Sequence, residues 1–304
     1  MNPCGTGWPS ASTSRRRFLQ GAIGAAGVPI SKSAAPGAPV HGLRWGGEGL
    51  IDVNVSLGHW PMRRVRCDDP KELANCLRRN GVLEAWAGTL EGVLHKDVGA
   101  ANARLADQCR EFGRGLLIPF GTINPNLPDW EEELDRCARR HRMRGIRLHP
   151  NYHGYGLEDP VFARLLERAS RQRLIVQLAL VMEDERMMHP LMRVAPVDAS
   201  PLAGVVRQVP GLRLILLNAL RTLRAKPLLD VMAAGDVSVE IATLEGVGGV
   251  AALLAQAPVN RLLFGSHAPM YYFESALLKL KESALTTAQM RAIGRGNARR
   301  LQEF

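Results

Sequence analysis

Two small polar side chains alternate along an otherwise apolar segment of this chain. In residues 51–58, IDVNVSLG, Asn54 and Ser56 are two positions apart, and residues with that spacing in a β-strand point to the same face. A strand built only for burial would carry apolar side chains at both positions. The pair therefore indicates either the mouth of a pocket or a place where the original chemistry of a pocket has been replaced.

Polar residues also end most of the other short apolar runs in the sequence. These residues are Asn124, Arg147, His149, Gln177, Asn218, Glu240 and His267. A buried polar group that finds no partner costs about 1–3 kcal/mol, so polar residues at so many strand ends predict a polar pocket. Tyr152 and His153 follow His149 in a short segment containing glycine and tyrosine, and we expect them to line the same pocket. The alternative for that segment is a packed aromatic loop without a ligand.

The elements that must position these residues alternate regularly. Short apolar runs, which predict strands, are followed by segments with helical spacing. The predicted strands are 50–55, 82–90, 115–124, 145–149, 174–180, 212–218, 237–243 and 261–266, and the predicted helices include 70–79, 98–112, 129–141, 160–171, 200–209, 225–234 and 247–257. The nearly continuous hydrophobicity of LRLILL and RLLFG is typical of parallel strands that are covered on both faces. The pattern predicts a (β/α)8 TIM barrel, in which the strand ends meet at one mouth; a doubly wound open sheet is the alternative.

Length, composition and charge limit the functional classes. The chain has 304 residues, 46% of them hydrophobic, which suits one large soluble domain, since a TIM barrel takes about 250 residues. The formal net charge is +10, but the basic residues are spread along the chain, which argues against a nucleic-acid partner. We expect the partner to be a small-molecule substrate or ligand, and the sequence is compatible with an oligomer.

The N-terminal segment resembles a twin-arginine export signal. Residues 14–20, SRRRFLQ, place consecutive arginines before a weakly apolar stretch, which is followed by the small residues Ser33, Ala34 and Ala35. Removal of this leader after Ala35 would lower the net charge from +10 to +6, because Arg15, Arg16, Arg17 and Lys32 would leave. The alternative is a basic leader with no export function, because a proline interrupts the apolar stretch.

We therefore expect three regions along the chain: an export signal over 1–35, a linker over 36–49 and a single barrel domain over 50–304. The expected location is periplasmic or otherwise extracytoplasmic, with membrane contact only during export. Outside the leader, the cysteines are Cys67, Cys76, Cys109 and Cys137, with no CxxC spacing. Their prevailing interpretation is small buried apolar residues; a disulfide formed after export is the other interpretation.

Several separated segments together resemble the amidohydrolase-related, metal-dependent hydrolases with barrel folds. They are IDVNVSLG, RGIRLHPNYHGY, RLLFGSHAPMYY and the terminal ALTTAQMRAIGRGNARRL, and the resemblance extends over about residues 50–301. It implies a TIM barrel whose pocket lies at the C-terminal ends of the strands. It also implies hydrolase or lyase activity on a small carboxylated or carbonyl-bearing molecule.

The chain departs from that family where the family binds its metal. Members carry two histidines on the first strand, histidines ending the fifth and sixth strands, and an aspartate ending the eighth. The corresponding positions here are Asn54, Ser56, Gln177, Asn218 and His267. Amide oxygens are poor ligands for zinc, so we expect that the usual metal site does not form.

Three hypotheses remain for the altered pocket. In the first, hydrolase or lyase chemistry persists, with His267 or His149 as acid–base groups and Arg147 binding a substrate carboxylate or stabilising an oxyanion. The substrate-binding residues would be Asn54, Ser56, Tyr152, His153, Gln177 and Asn218. In the second, the barrel binds a small ligand without catalysis, because amides orient ligands but do not exchange protons near pH 7. In the third, the polar residues satisfy one another structurally.

Glu240 decides between cofactor hypotheses because it interrupts an apolar strand. A buried carboxylate is costly without a cation, so we expect Arg147, a histidine or a metal near it. The candidate rebuilt metal site is formed by His149, His267 and Glu240, and a structural salt bridge to Arg147 is the alternative. The cofactor is otherwise unknown, and none is an equally open expectation. For His267, an acid–base role predicts a perturbed pKa and a partner carboxylate.

Overall fold

The structure is a computed structural model that describes Trp45 and residues 47–303. The predicted export signal and most of the predicted linker lie outside the described residues. The strands are β1 Leu50–Leu57, β2 Val82–Thr89, β3 Leu117–Thr122, β4 Gly145–Leu148, β5 Ile175–Ala179, β6 Arg213–Leu217, β7 Asp236–Glu240 and β8 Leu262–Leu263. The α-helices are α1 Pro70–Arg79, α2 Glu91–Leu94, α3 Val98–Gln108, α4 Trp130–Asp135, α5 Pro150–His153, α6 Pro160–Arg171, α7 Leu202–Gln208, α8 Ala225–Ala233, α9 Gly249–Leu254, α10 Phe273–Glu282, α11 Thr287–Arg291 and α12 Asn297–Gln302.

The eight strands form one parallel sheet in sequence order, β1 to β8. The sheet closes on itself because β1 also bonds to the segment around β8. Val53 N donates to Phe264 O at 3.0 Å, and Ser56 N donates to Ala268 O at 2.8 Å. The arrangement is a (β/α)8 barrel, as the sequence predicts, and the carboxyl ends of all strands meet at one face.

The apolar pattern of the strands is explained by burial on both faces. All residues of β1, β4, β5 and β6 are buried. A large cluster of apolar side chains fills the space between the barrel and its helices. A smaller cluster, which includes Ile51, Trp86 and Phe120, occupies the barrel interior, where the last two rings stack at 5.1 Å. The interior is therefore a packed core below the mouth.

The first helix shows how local sequence fixes an element boundary. Asp69 caps α1 by accepting from the backbone N–H groups of Lys71 and Glu72, and Pro70 is the first helical residue. Arg78 and Arg79 lie in the last turn of α1, where their positive charges interact favourably with the negative end of the helix dipole. None of the helices in the described part of the chain is both long and apolar enough to span a membrane.

The predicted boundaries differ from the observed ones chiefly at the mouth. Helices 70–79 and 160–171 match α1 and α6. Predicted strand 145–149 ends at Leu148, and His149 precedes α5, a short helix that the sequence pattern had indicated as a loop. Predicted strand 261–266 shrinks to Leu262–Leu263, because the chain beyond it turns to bond with β1 rather than with β7.

Candidate functional site at the barrel mouth

The structure brings the predicted strand-end residues together at the mouth of the barrel. Asn54, Ser56, Arg147, His149, Gln177, Asn218, Glu240 and His267 are each no more than 2% exposed. Tyr152 and His153 are half-buried above them on α5. The loops that follow the strands therefore cover the mouth, and a ligand reaching these residues must displace part of that cover.

Two of these residues adopt the left-handed backbone conformation that turns the chain away from its strand. Asn218 follows β6 with φ of 53°, and His267 follows the short β8 with φ of 57°. Asparagine and histidine are enriched several-fold among non-glycine residues in this region. Both residues hold side-chain contacts at the mouth, described below, so the unusual backbone coincides with the candidate site.

Asn54, Asn218 and Glu240 form a hydrogen-bonded network across the barrel. The Nδ2 of Asn54 donates to Asn218 Oδ1 at 2.9 Å and to Glu240 Oε1 at 3.2 Å. Glu240 Oε1 also accepts from Asn218 N at 2.6 Å, and Oε2 accepts from the backbone N–H of Ala242. Asn218 Nδ2 donates to Val181 O at 2.8 Å. The side-chain amide of Asn54 and the backbone N–H groups of Asn218 and Ala242 therefore supply the hydrogen bonds of the buried Glu240 carboxylate.

The expected pairing of Glu240 with Arg147 is wrong. Neutral amide and backbone donors surround the carboxylate, while Arg147 donates elsewhere. Burial raises the pKa of Glu240 to about 7, although its hydrogen bonds to the Asn218 and Ala242 N–H groups oppose the shift. Near neutral pH the group is therefore partly protonated, which lowers the cost of burying it without a cation.

Arg147 is fixed within the barrel wall by four hydrogen bonds. Its Nε donates to Gln177 Oε1 at 2.8 Å, Nη1 to Val55 O at 2.9 Å and to Ser56 Oγ at 3.0 Å, and Nη2 to Trp86 O at 3.0 Å. A guanidinium has five N–H donors, so a bidentate contact with a substrate would require an existing bond to break. The expectation that Arg147 binds a substrate carboxylate is therefore not supported by its geometry. Burial lowers the pKa of Arg147 to about 9, and the group remains charged at neutral pH.

The side chain of Gln177, on β5, bonds both to Arg147 and to the backbone of β1. Its Nε2 donates to Val53 O at 2.7 Å while its Oε1 accepts from Arg147. Both ends of the amide are therefore engaged. Gln177 and Ser56, which were predicted to contact substrate, instead orient the guanidinium.

Asp52 is a member of the site that the sequence interpretation missed. Its Oδ1 accepts from Asn54 N at 3.1 Å and from Ser266 N at 3.0 Å, and Oδ2 has no hydrogen-bond partner among the described residues. Burial raises the pKa of Asp52 to about 6, and the Arg147 charge opposes that shift. The signal was present in the sequence, since Asp52 lies two residues before Asn54 in the same apolar run, a spacing that predicts the same face of a strand.

His267 lies at the mouth with a backbone carbonyl as its partner. Its Nε2 is 2.8 Å from Met182 O, and Asn218 Nδ2 is 3.4 Å from both ring nitrogens. Burial lowers the pKa of His267 to about 4, and the bond to Met182 O only partly compensates. The pKa is perturbed, as an acid–base role predicts, but the expected partner carboxylate is replaced by a carbonyl oxygen. With a pKa of about 4 the ring is neutral at pH 7, and the carbonyl acceptor selects the tautomer with its proton on Nε2.

His149 is the least satisfied polar side chain at the mouth. It is 1% exposed, yet neither ring nitrogen has a hydrogen-bond partner among the described residues. Burial and the nearby charges of His153, Arg147 and His267 hold the pKa of His149 well below its usual value. The neighbouring His153 stands 5.9 Å away, edge to face, and its Nε2 is bonded to Gly92 O at 3.0 Å. His149 therefore carries a free donor and a free acceptor at the mouth.

The residues present do not fit the divalent metal that the family implies. Of the five family positions, only His267 has a side chain of a preferred ligand type, and its Nε2 is engaged by Met182 O. The positive guanidinium of Arg147 already bonds Ser56 and Gln177, two of those positions. Within residues 47–303, no group of three or more histidine, cysteine, aspartate or glutamate side chains is arranged to hold a metal ion. The rebuilt site of His149, His267 and Glu240 is therefore not formed.

A cavity of about 460 Å³ opens beside this network, between the loops that follow β5 and β6. Its wall includes Val181, whose carbonyl accepts from Asn218, together with Glu183, Arg193 and Arg221. Arg193 is exposed and has no hydrogen bond or ion pair within the described part of the chain. Val181 therefore links the cavity wall to the polar network, because its carbonyl oxygen accepts from Asn218.

Contacts of Arg63 join three strand-end loops on the same side of the mouth. Arg63, in the loop after β1, donates through Nε to Glu183 Oε1 at 3.1 Å and through Nη2 to Met270 O at 3.4 Å. Trp60 in that loop packs edge to face on Tyr152 at 6.1 Å. Three strand-end loops and α5 are therefore in contact above the buried residues.

Comparison with solved structures shows the same barrel in several decarboxylases. A 2,6-dihydroxybenzoate decarboxylase from Rhizobium has a TM-score of 0.62 at 14% identity, covering 84% of this chain and 99% of that one. A 5-carboxyvanillate decarboxylase from Sphingomonas paucimobilis has a TM-score of 0.63 at 14% identity, covering 85% and 100%. A dihydroxybenzoic acid decarboxylase from a Polaromonas species, with bound manganese and 2-nitroresorcinol, has a TM-score of 0.62 at 14% identity, covering 84% and 97%. At these identities the likeness establishes the fold.

Sequence comparison supplies the family. A search of curated proteins finds no match to this chain. The sequence model of the amidohydrolase family, by contrast, matches residues 58–303, which include strands β2 to β8 and their helices. This match agrees with the resemblance of the strand-end motifs and with the shared barrel. The chain belongs to the amidohydrolase family.

Proposed function

We propose that this chain is a metal-independent lyase that removes a carboxylate from a small aromatic molecule at the barrel mouth. The observation that carries the proposal is His149, a buried imidazole with no hydrogen bond to the described protein at either nitrogen. An unpaired buried polar group costs about 1–3 kcal/mol, and such a cost is commonly retained where a ligand supplies the missing partner. The substrate class is supported by the decarboxylases that share this barrel.

His149 has the properties needed to move one proton. Because its pKa is held low, the ring is neutral at pH 7 and is a weak base, so it takes a proton only from the most acidic group of the substrate, its carboxylic acid. The imidazolium formed in this way is a strong acid and gives the proton to the ring carbon as the bond to the carboxyl group breaks. Carbon dioxide leaves, the bonding electron pair stays on the ring carbon, and the proton takes the vacated position.

The polar network would act by shape and orientation. Arg147 and Gln177 are held by internal contacts, so they hold the strand ends in place, and Arg147 contributes a fixed positive charge. Asn54 keeps an unpaired Oδ1 within the described residues, which is an acceptor for a substrate hydroxyl. The cavity beside the network has in its wall Arg193, a cation without an ion pair among the described residues, which suits an anionic substrate.

A second function is favoured by a different observation. Glu240, Asn218 and Gln177 all bond to neighbouring side chains and to backbone groups, and amides do not transfer protons near pH 7. These features suit a barrel that binds a carboxylated molecule without breaking it. Both functions place the ligand against His149, and they differ only in turnover.

Two measurements on one set of proteins separate these functions. Calorimetric titration with 2,6-dihydroxybenzoate and related hydroxybenzoates reports binding, and trapping of released carbon dioxide reports turnover. The variants are His149→Leu and, as a matched control, His189→Leu on an exposed loop. Binding with carbon dioxide release, both lost in His149→Leu alone, supports the lyase. Binding without release supports the non-catalytic function, and absence of binding across the set overturns both.

A further inference from the structure

A cleft of about 820 Å³ lies at the opposite end of the barrel from the mouth, where β6 and β7 begin. Its wall includes four arginines, which are Arg171, Arg173, Arg207 and Arg213. Among the described residues that line it, the one carboxylate belongs to Asp236. The cleft therefore concentrates positive charge on the amino-terminal face of the barrel.

The carboxylates at the cleft are already paired with arginines. Asp236 accepts from Arg300 Nη1 through Oδ2 and from Arg300 Nη2 through Oδ1, both at 3.2 Å, and it also accepts from Arg261. Glu167 pairs with Arg171 at 3.1 Å. The arginines around the cleft thus outnumber its carboxylates, so an anion that enters meets a net positive charge.

Two arginines of the wall have side chains that are available to a ligand. Arg173 and Arg207 are exposed, and neither guanidinium makes a hydrogen bond or ion pair within the described part of the chain. Arg213, in contrast, is buried and donates through Nη1 to Leu301 O at 2.7 Å and through Nη2 to Arg173 O. The cleft therefore combines one anchored cation with two whose donors are not used by the protein.

Arg173 occupies a backbone position that favours glycine. It ends α6 in a Schellman motif, in which Arg173 N donates to Ser170 O at 2.9 Å and Leu174 N donates to Ala169 O at 3.0 Å. Its φ is 57°, in the left-handed region that glycine adopts without steric cost. A long charged side chain is thus kept at a position where glycine would relieve backbone strain, and such strain is concentrated at functional positions.

We propose that this cleft binds a small molecule that carries a pyrophosphate or longer oligophosphate group. A guanidinium binds phosphate oxygens through two parallel N–H···O bonds, and several guanidinium groups on one wall suit more than one phosphate. The volume of the cleft lies within the range of about 300–1,000 Å³ that small-molecule sites occupy. Because the cleft is at the end of the barrel away from His149, this site goes beyond the proposed lyase function and does not depend on it.

Calorimetric titration of the full-length chain with inorganic pyrophosphate, at constant ionic strength, tests the site. We expect saturable binding that Arg173→Gly weakens by about tenfold, because the variant removes charge-assisted hydrogen bonds. Arg142→Gly is the matched control, since Arg142 is also exposed and has φ of 52° but enters β4 outside the cleft. Its affinity should equal that of wild type. Neither variant should melt below wild type, because glycine adopts the left-handed conformation more readily than arginine.

A second variant keeps the test decisive if Arg173→Gly does not fold. Arg207→Gln, in the last turn of α7, should also weaken pyrophosphate binding by about tenfold. Equal weakening in Arg142→Gly and in the cleft variants would overturn the site, because pyrophosphate would then respond to the overall charge of this face. Absence of pyrophosphate binding would overturn it as well, and so would attachment to phosphatidylglycerol vesicles by a protein that does not bind pyrophosphate.

Discussion

The Nη1 of Arg147 donates to the Oγ of Ser56 at 3.0 Å, which places an organic cation beside the strand where the family resemblance implies metal-binding histidines. The same guanidinium bonds Gln177, which occupies another such position. A fixed positive charge thereby stands among residues that would otherwise surround a dication. It also offsets the negative charge of Asp52, whose pKa it helps to lower against the effect of burial. Ser56 and Gln177, two of the residues at the altered positions, therefore share one partner, the guanidinium of Arg147, and are not unrelated replacements of metal ligands.

The first prediction concerns metal content. Protein purified without chelator, and without a metal-binding tag, should contain well under one equivalent of zinc, iron or manganese per chain. Manganese should not raise its melting temperature, because Arg147 repels a cation and the amides of Gln177 and Asn218 are committed to other partners. Elemental analysis and thermal melting check this. A near-stoichiometric metal whose removal lowers the melting temperature would contradict the substitution of metal by guanidinium.

The second prediction is that Arg147→Met is strongly destabilising. The change leaves the acceptors of Gln177, Ser56 and two backbone carbonyls buried without their donor. Removing one member of a buried charged network costs about 3–5 kcal/mol, and urea unfolding would measure it. Arg164→Met is the matched control, because that arginine is largely exposed and makes an ion pair of 3.3 Å at the surface. Equal effects of the two changes would refute the structural role of Arg147.

The sequence predicts the barrel well because the pattern that specifies it is local and is repeated along the chain. Apolar runs alternating with amphipathic helices specify strands covered on both faces, and eight such units leave few arrangements. The strand ends were therefore placed correctly at one mouth, including Asn218 and Glu240. What the sequence could not supply was the choice of partner. Glu240 turned out to be paired with amides and backbone N–H groups rather than with Arg147, because hydrogen-bond directions depend on side-chain conformations that spacing does not encode.

The third prediction is a pH dependence that Glu240→Gln removes. The folded-state pKa of Glu240 is about 7, above its ordinary value of 4.5, so the folded protein binds this proton more tightly than the unfolded chain does. The resulting stabilisation is complete below pH 4.5 and is lost as pH rises to 7, by about 3 kcal/mol in all. The difference in unfolding free energy between wild type and variant should change by that amount between pH 4 and 8. A constant difference would show that Glu240 titrates normally.

The fourth prediction concerns His267. Its folded-state pKa of about 4 lies below the ordinary value of 6.5, so its contribution to stability is present above pH 6.5 and is lost as pH falls through 4. The imidazole signals in an NMR titration, assigned with His267→Gln, should stay constant between pH 5.5 and 8. A midpoint near neutrality would instead indicate a solvated ring and would contradict the burial of His267.

The fifth prediction compares two neighbouring histidines. His149→Leu should leave stability unchanged or raise it by about 1 kcal/mol, because it removes a buried group that has no protein partner within the described residues. His153→Leu should instead lower stability by about 1–2 kcal/mol, since it leaves Gly92 O without its donor. Urea unfolding measures the change in unfolding free energy for each variant, and both residues lie where β4 is followed by α5.

The contrast between the two variants bears on function. If His149→Leu binds no hydroxybenzoate yet is as stable as wild type, the imidazole is retained at a stability cost for its ligand, as residues of functional sites often are. If His149→Leu is clearly destabilised, the ring has an internal partner after all. The case for His149 as the proton-transfer group would then fail, because its availability to a ligand rests on those two unpaired nitrogens.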